Sequence, residues 1–266
     1  MIVEILCVGD ELLSGITLNT NAHWLSGEIA RAGGIVRRVT EVRDDRAEIS
    51  AAVRESLARQ PDLLITTGGL GATYDDMTLE GVAIALGKKV KIDERAVEML
   101  KKSYAHRAMR YELNEVRLKM ATIPEGSIPI QNPVGSAPAV MEKSGSTKIF
   151  CLQGVPAEMQ AIFNEHVLPA IRDNVGSFIA REINYDVRGI TEAMIAPALI
   201  SIVESCSKDD IYLKTHPQGY AANNTPQIRI QLISRGSDEK KVREKLDAIA
   251  KVLREEITKL GGKIVS

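Results

Sequence analysis

The chain of 266 residues is 44% hydrophobic and 26% charged, and its 34 Lys and Arg against 35 Asp and Glu leave a formal net charge of −1. These are the proportions of an ordinary soluble globular protein, long enough for a large unit and a small one, and they exclude a basic module built for nucleic acid. No apolar run nears the roughly 20 residues of a membrane span, and the opening MIVEILCVGDELLSG lacks the basic start of a secretion signal, so a cytoplasmic protein is expected.

IVEILCVG (2–9) is a near-continuous apolar run, as a strand buried on both faces of a parallel sheet requires. Residues 20–32 then place Ala22, Leu25, Ile29 and Ala32 at helical spacing, with Thr20 or Asn21 as N-cap and Gly33-Gly34 as the stop. IVRRVTEV (35–42) reads as the next strand, and Asp44 or Asp45 caps a helix burying Ile49, Val53 and Leu57. DLLITT (62–67) is a third apolar strand; helical patterns follow at about 78–86, ended by Gly87, and at about 93–110. KIFCLQG (148–154) is another buried strand, followed by Pro156 in a helix first turn and by Met159, Ile162, Phe163, Val167 and Ile171 on one face. Strands alternating with helices predict a doubly wound α/β domain with a mainly parallel sheet over residues 1–174.

The remainder, 177–266, changes character. FIAREINYDVRG (178–189) alternates as a strand, TEAMIAPALISIVESC (191–206) reads as a helix interrupted by Pro197, and DIYLKTHP and QIRIQLIS read as two strands with a His216-Pro217-Gln218-Gly219 turn between them. Ser237 is placed as the cap of a long helix with Val242, Leu246, Ile249, Leu253, Ile257 and Leu260 on one stripe. The order β-α-β-β-α predicts a second, smaller α+β domain, with NVGS (174–177) as the linker. Cys7, Cys151 and Cys206 are far apart and read as reduced thiols, and His23, His106, His166 and His216 share no ligand spacing that suggests zinc. Trp24 is assigned to core or interface and His23 to the helix surface.

In open α/β sheets ligands lie beyond the carboxyl ends of the strands. Four loops are candidates: GDELLSGITLNTN (9–21), TGGLGATYDD (67–76), QNPVGSAPA (131–139) and QGVPAEM (153–159). Glycines let successive backbone N–H groups converge and let a phosphate approach without a Cβ in the way, so Thr67, Gly68, Gly69, Leu70 and Gly71 form either an anion cradle or a tight turn. The stretch is neither a Walker loop nor a GxGxxG fingerprint. Asp75 and Asp76 follow closely enough to hold a hard cation that bridges phosphate oxygens, or else one caps the next helix and the other is solvated. Gly9, Asp10 and Glu11 end the first strand, and Ser14, Thr17, Asn19, Thr20 and Asn21 after them offer small polar groups to a sugar, a base or a phosphate. A nucleotide-like or pterin-phosphate ligand follows from these loops.

Taken together, GDELLSG with NTNA, TGGLGATYDD, NPVGSAPA and LQGVPAEM resemble the CinA (competence/damage-inducible) family, whose amino-terminal part is a molybdopterin-binding, molybdenum-cofactor-biosynthesis domain. The second part resembles, more weakly, the small KH-like middle domain of that family. The resemblance implies hydrolysis of the ADP-ribose pyrophosphate with a divalent ion (Mg, Mn or Co) and potassium; the alternative is molybdopterin binding, as an adenylyl-transfer enzyme or a carrier. On this basis Asp75, Asp76 and Glu11 are the expected metal-binding and catalytic carboxylates, and Thr67, Asn132 and Ser136 the orienting donors. Gly135, Gly154 and Pro156 complete the phosphate or nucleotide site with the glycine turn, Gly9, Asp10, Ser14 and Asn19. A homodimer is implied, and the family's deamidase domain, which follows in full-length members, is not expected before Ser266. The pattern departs from the family at Ala72 and Gln153, where proline is usual. An RNA-binding reading through the KH-like part fails on the missing GXXG loop and the near-neutral charge of residues 177–266.

Overall fold

The computed structural model describes residues 1–105, 114–206, 210–221 and 223–265; the end of the helix expected over 93–110, with His106, lies outside the described residues. The chain folds as two compact units, Met1–Val175 and Gly176–Ser266.

The first unit runs β1 (Ile2–Val8), α1 (Asp10–Leu13), α2 (Thr20–Arg31), β2 (Ile35–Val42), α3 (Arg46–Ala58), β3 (Leu63–Thr67), α4 (Thr78–Ala85), β4 (Val90–Ile92), α5 (Glu94–Ala105), α6 (Glu115–Leu118), β5 (Thr122–Pro124), β6 (Ile128–Ile130), β7 (Ala139–Ser144), β8 (Thr147–Leu152), α7 (Pro156–Ile162) and α8 (Leu168–Val175). The last two are joined through a π-helical turn at Phe163–Val167. The main sheet has the order β2-β1-β3-β8-β7-β6. β1, β2, β3 and β8 are parallel, and β7 and β6 add antiparallel pairings at one end. β4 and β5 form a separate antiparallel pair.

The apolar strands are buried on both faces because side chains alternate. Val3, Ile5 and Cys7 of β1 pack with Leu25 and Ile29 of α2 and with Met159, Ile162, Phe163, Val167 and Ile171 of the last helical segment. Leu6 and Val8 pack on the other face with Ile49 and Val53 of α3 and Leu79 and Val82 of α4. Trp24 belongs to the first layer and meets Phe163 edge-on, with ring centroids 5.3 Å apart. Burial pushes the Cys7 thiol up to about 11 and the Cys151 thiol up to about 12, which leaves both as unreactive packing groups.

One cap falls one residue before the sequence expectation, and another settles between its two candidates. The Asn19 side chain, not Thr20 or Asn21, accepts from the Ala22 amide at the start of α2. Asp45 caps α3 by accepting from the Ala47 and Glu48 amides, which frees Asp44 for another role.

The second unit runs β9 (Ile179–Arg188), α9 (Glu192–Glu204), β10 (Ile211–Tyr220), β11 (Pro226–Gly236), α10 (Glu239–Lys259) and β12 (Lys263–Ile264). Its sheet is antiparallel in the order β10-β11-β9-β12. Tyr185, Val187, Ile228, Ile230 and Leu232 pack with Ile195 and Ile202 of α9 and with Leu246, Ile249, Leu253 and Ile257 of α10. Three local expectations are corrected here. α9 continues through Pro197, which removes one interior hydrogen bond without ending the helix. Asp238, not Ser237, caps α10. His216-Pro217-Gln218-Gly219 lies inside β10, not between strands: His216 pairs with Arg229, Pro217 with Ile228 and Gly219 with Gln227, with a register shift after Pro217. β10 is an edge strand, where a residue without an N–H can sit. No helix among the described residues is long and apolar enough to cross a membrane.

Candidate functional site

β1, β3 and β8 are adjacent and parallel, so the loops leaving Val8, Thr67 and Leu152 emerge on one edge of the sheet. β7 runs antiparallel to β8, with Val140 opposite Cys151, so the loop that enters β7 (131–138) reaches the same edge. One side chain ties three of these loops together. Asn21 Nδ2 donates to Thr67 Oγ1 at 3.0 Å and to the Gly154 carbonyl at 2.8 Å, and Thr67 Oγ1 donates to the Gln153 carbonyl at 2.8 Å.

The glycine turn is compressed against its neighbours. Gly68 and Gly69 have φ of 103° and 65°, and a Cβ on them would lie 2.2 Å from the Val8 carbonyl oxygen and 2.4 Å from Thr78 Oγ1. The Gly68 amide donates to Leu152 O, and the carbonyls of Gly68 and Gly69 accept from the Thr78 hydroxyl and amide. Among the described residues, the amides of Gly69, Leu70, Gly71 and Ala72 have no protein acceptor. Successive N–H groups left without protein acceptors are available to an anion where the backbone lets them converge.

A cavity of about 280 Å³ opens on one side of the turn, lined by Gly9, Glu11, Thr17, Asn19, Asn21, Asp44, Thr67, Gly68, Gly69, Thr73, Asp75, Asp76, Gly154 and Pro156 among others. Its acidic wall is held by the turn itself. Thr73 Oγ1 lies 2.5 Å from both Asp75 Oδ1 and Asp76 Oδ2, and the Thr73 amide donates to Asp76 Oδ2 at 2.8 Å. The Lys119 ammonium donates to the Thr73 carbonyl and places a positive charge behind the turn. Asp44, whose carboxylate accepts from the Asp10 amide at 2.9 Å, joins the wall. Its pKa is raised, first by burial and then by the charges of Glu11, Asp10 and Asp75 around it. Asp10 turns its own carboxylate to Arg43 and, with Ser14, lines a neighbouring recess of about 420 Å³ shared with Glu11, Asp44 and Asp75.

On the other side of the turn a cavity of about 400 Å³ is lined by Gly69, Leu70, Gly71, Asp76, Met120, Ser136, Ala137, Gln153, Gly154, Val155 and Glu158. Asn132 does not line either cavity but builds the loop beside the second. Its Nδ2 donates to the Ala137 carbonyl and to Glu158 Oε2, and its Oδ1 accepts from the Val134 and Gly135 amides. A Cβ on Gly135 would lie 2.1 Å from the Glu158 carboxylate, so the glycine lets that side chain close on the loop. Asn132→Ala removes the acceptor of the buried Gly135 amide and the bridge to Glu158, so a loss of about 2 kcal/mol is expected in urea unfolding.

The family model described as "Probable molybdopterin binding domain" matches residues 4–173. The chain belongs to the molybdopterin-binding domain family. A protein of Sulfurisphaera tokodaii is 37% identical over 262 residues, covering 98% of this chain and 97% of the relative. One from Aeropyrum pernix is 38% identical over 261 residues, covering 98% and 95%. Among solved structures, the protein CinA, of unknown function, from Thermoplasma acidophilum superposes with a TM-score of 0.58 at 41% identity, covering 65% of this chain and 97% of that chain.

Within this molybdopterin-binding domain the expected residues divide into three sets. Gly9, Glu11, Asn19, Thr67, Gly68, Gly69, Asp75, Asp76, Gly154 and Pro156 line the first cavity. Leu70, Gly71 and Ser136 line the second, whereas Asn132 and Gly135 shape its loop. Asp10 and Ser14 stand at the acidic recess. Sequence reasoning gave no role to Glu158, Thr73 or Lys119, read Asp44 only as a helix cap, and singled out Gln153 only as a departure from the family pattern. Glu158 lies within the quoted fourth loop and Thr73 within the second, so motif position was the available signal; for Lys119, whose acceptor is 46 residues away, there was none.

Proposed function

We propose that the first unit binds a phosphorylated pterin of the molybdopterin type, with its phosphate on the amides of Gly69, Leu70, Gly71 and Ala72. The observation that carries this is the run of N–H groups without protein acceptors, set between two cavities at the strand ends of a molybdopterin-binding domain. The cavities of about 280 and 400 Å³ are within the range of small-molecule sites or just below it. Calorimetric titration with a pterin phosphate tests it: saturable binding that inorganic phosphate competes away is expected, and no heat of binding at millimolar ligand sinks the proposal.

A second reading, hydrolysis of a nucleotide-sugar pyrophosphate such as ADP-ribose, is favoured by the carboxylates of Glu11, Asp44, Asp75 and Asp76 on the wall of the first cavity. Among the described residues no three His, Cys, Asp or Glu side chains form a ready-made metal set. Hard cations such as magnesium need only one or two carboxylates when phosphates supply the rest. Asp75 and Asp76 fit that demand as two neighbouring carboxylates held on the cavity wall by Thr73. A divalent ion held there would neutralise the pyrophosphate and lower the pKa of a bound water. In this reading the turn amides hold the phosphate oxygens and stabilise the charge that builds on them. Asp75→Asn and Asp76→Asn are each expected to lower release of AMP and ribose 5-phosphate from ADP-ribose by about 100-fold or more. Wild-type rates in both variants discard the cation assignment, and no release by the wild-type protein with Mg, Mn or Co discards the hydrolase reading while leaving pterin binding intact.

A further inference from the structure

Gln153 is only 4% exposed, yet its side-chain oxygen Oε1 is buried without a hydrogen-bond partner. Its Nε2 donates to the Ala137 carbonyl at 2.7 Å, and its backbone carbonyl accepts from Thr67 Oγ1. Turning the amide over does not relieve the oxygen, because it would then oppose the Ala137 carbonyl, itself an acceptor from Asn132 Nδ2. Gln153 and Ala137 line the second cavity together with Gly69, Gly71 and Ser136. A buried acceptor with no protein partner rewards a ligand that brings an N–H to it.

From this we infer that Gln153 is a specificity-determining residue that accepts a hydrogen bond from the exocyclic amino group of the bound heterocycle. The inference rests on the pterin-binding reading and adds which edge of the ring is recognised and by which residue. A site built to pair a donor discriminates against the analogue lacking it, since the protein acceptor is then sealed from water with nothing to meet it. Asn21 Oδ1, on a residue of the first cavity, is a second buried amide oxygen without a protein partner.

The test compares (2-amino-4-oxopteridin-6-yl)methyl phosphate with its 2-desamino counterpart by calorimetric titration of the full chain. The wild-type protein is expected to prefer the amino compound by about 5- to 100-fold. In Gln153→Met, of similar length but without the acceptor, the preference falls to about 1. A packing role alone would lower the thermal stability of Gln153→Met and leave the affinity ratio as in wild type. Equal affinities in the wild-type protein, a measurement that needs no variant to fold, overturn the inference while the pterin reading stands. Absence of binding by either compound removes the pterin reading and this inference with it.

Discussion

Gly68→Ala is expected to cost about 2–5 kcal/mol and to abolish ligand binding. With φ at 103°, the new Cβ would stand 2.2 Å from the Val8 carbonyl oxygen. That oxygen belongs to the backbone of a central strand, so no side-chain rotation relieves the overlap. The opposite side is closed as well, since even a Cβ on Gly154 would lie 3.3 Å from Gly68 Cα. The turn must therefore move as a unit, carrying the amides of Gly69 to Ala72 away from the cavity. Gly15→Ala is the control: φ is 73° there, but nothing lies within 4 Å of the added Cβ, and only the left-handed backbone penalty of about 1–2 kcal/mol applies. Trp24, the sole tryptophan, packs on Phe163 inside the first unit, so its fluorescence in urea reports on that unit. If the two variants unfold at the same midpoint, or if Gly68→Ala binds pterin phosphate as wild type does, the crowding of this turn has been misjudged.

The parallel strands β1, β3 and β8 were legible because burial on both faces leaves a continuous apolar run, and the ligand edge followed from where those runs ended. Short elements were not: β4 to β6 span three residues each and carry no period long enough to read. Caps were displaced by one residue because Asn19, Thr20 and Asn21, or Ser237 and Asp238, are adjacent groups of equal capping chemistry; only the surrounding backbone chooses among them. At the site, glycine positions were readable, since few residues other than glycine tolerate such turns, but their reason was twofold. Gly68 and Gly69 are required by crowding against Val8 and Thr78 as much as by any anion. Asp44 could be read only as half of a capping pair, and it became a cavity residue once Asp45 took the cap. Gln153 and Lys119 act through partners 16 and 46 residues away, a relation that no local pattern encodes.

Glu4 carries the other large effect, at a distance from the site. It is the one charged residue in β1 and is 2% exposed. Arg59 grips it with two nitrogens, Nε at 2.9 Å from Oε1 and an Nη at 2.7 Å from Oε2, and Arg37 Nε adds a bond at 2.9 Å. Burial pulls its pKa upward, but the hydrogen bonds and charge of Arg59, with those of Arg37, outweigh it and bring the value from 4.5 down to about 2. A folded-state pKa below the unfolded value means that the unfolded chain takes up the proton first as pH falls. The stabilisation is therefore present in full above about pH 4.5 and is lost progressively between there and pH 2. A shift of that size corresponds to about 3 kcal/mol, in line with the cost of breaking a buried ion pair. Glu4→Gln, which keeps the shape and removes the charge, is expected to lower stability by about 3 kcal/mol at pH 7 in Trp24-monitored urea unfolding. The gap from wild type should close as the same measurement is repeated toward pH 2. Subtracting the variant removes the common titration of all other carboxylates, so a gap that stays constant from pH 7 to pH 2 would show that the two arginines do not hold Glu4 ionised in the folded state.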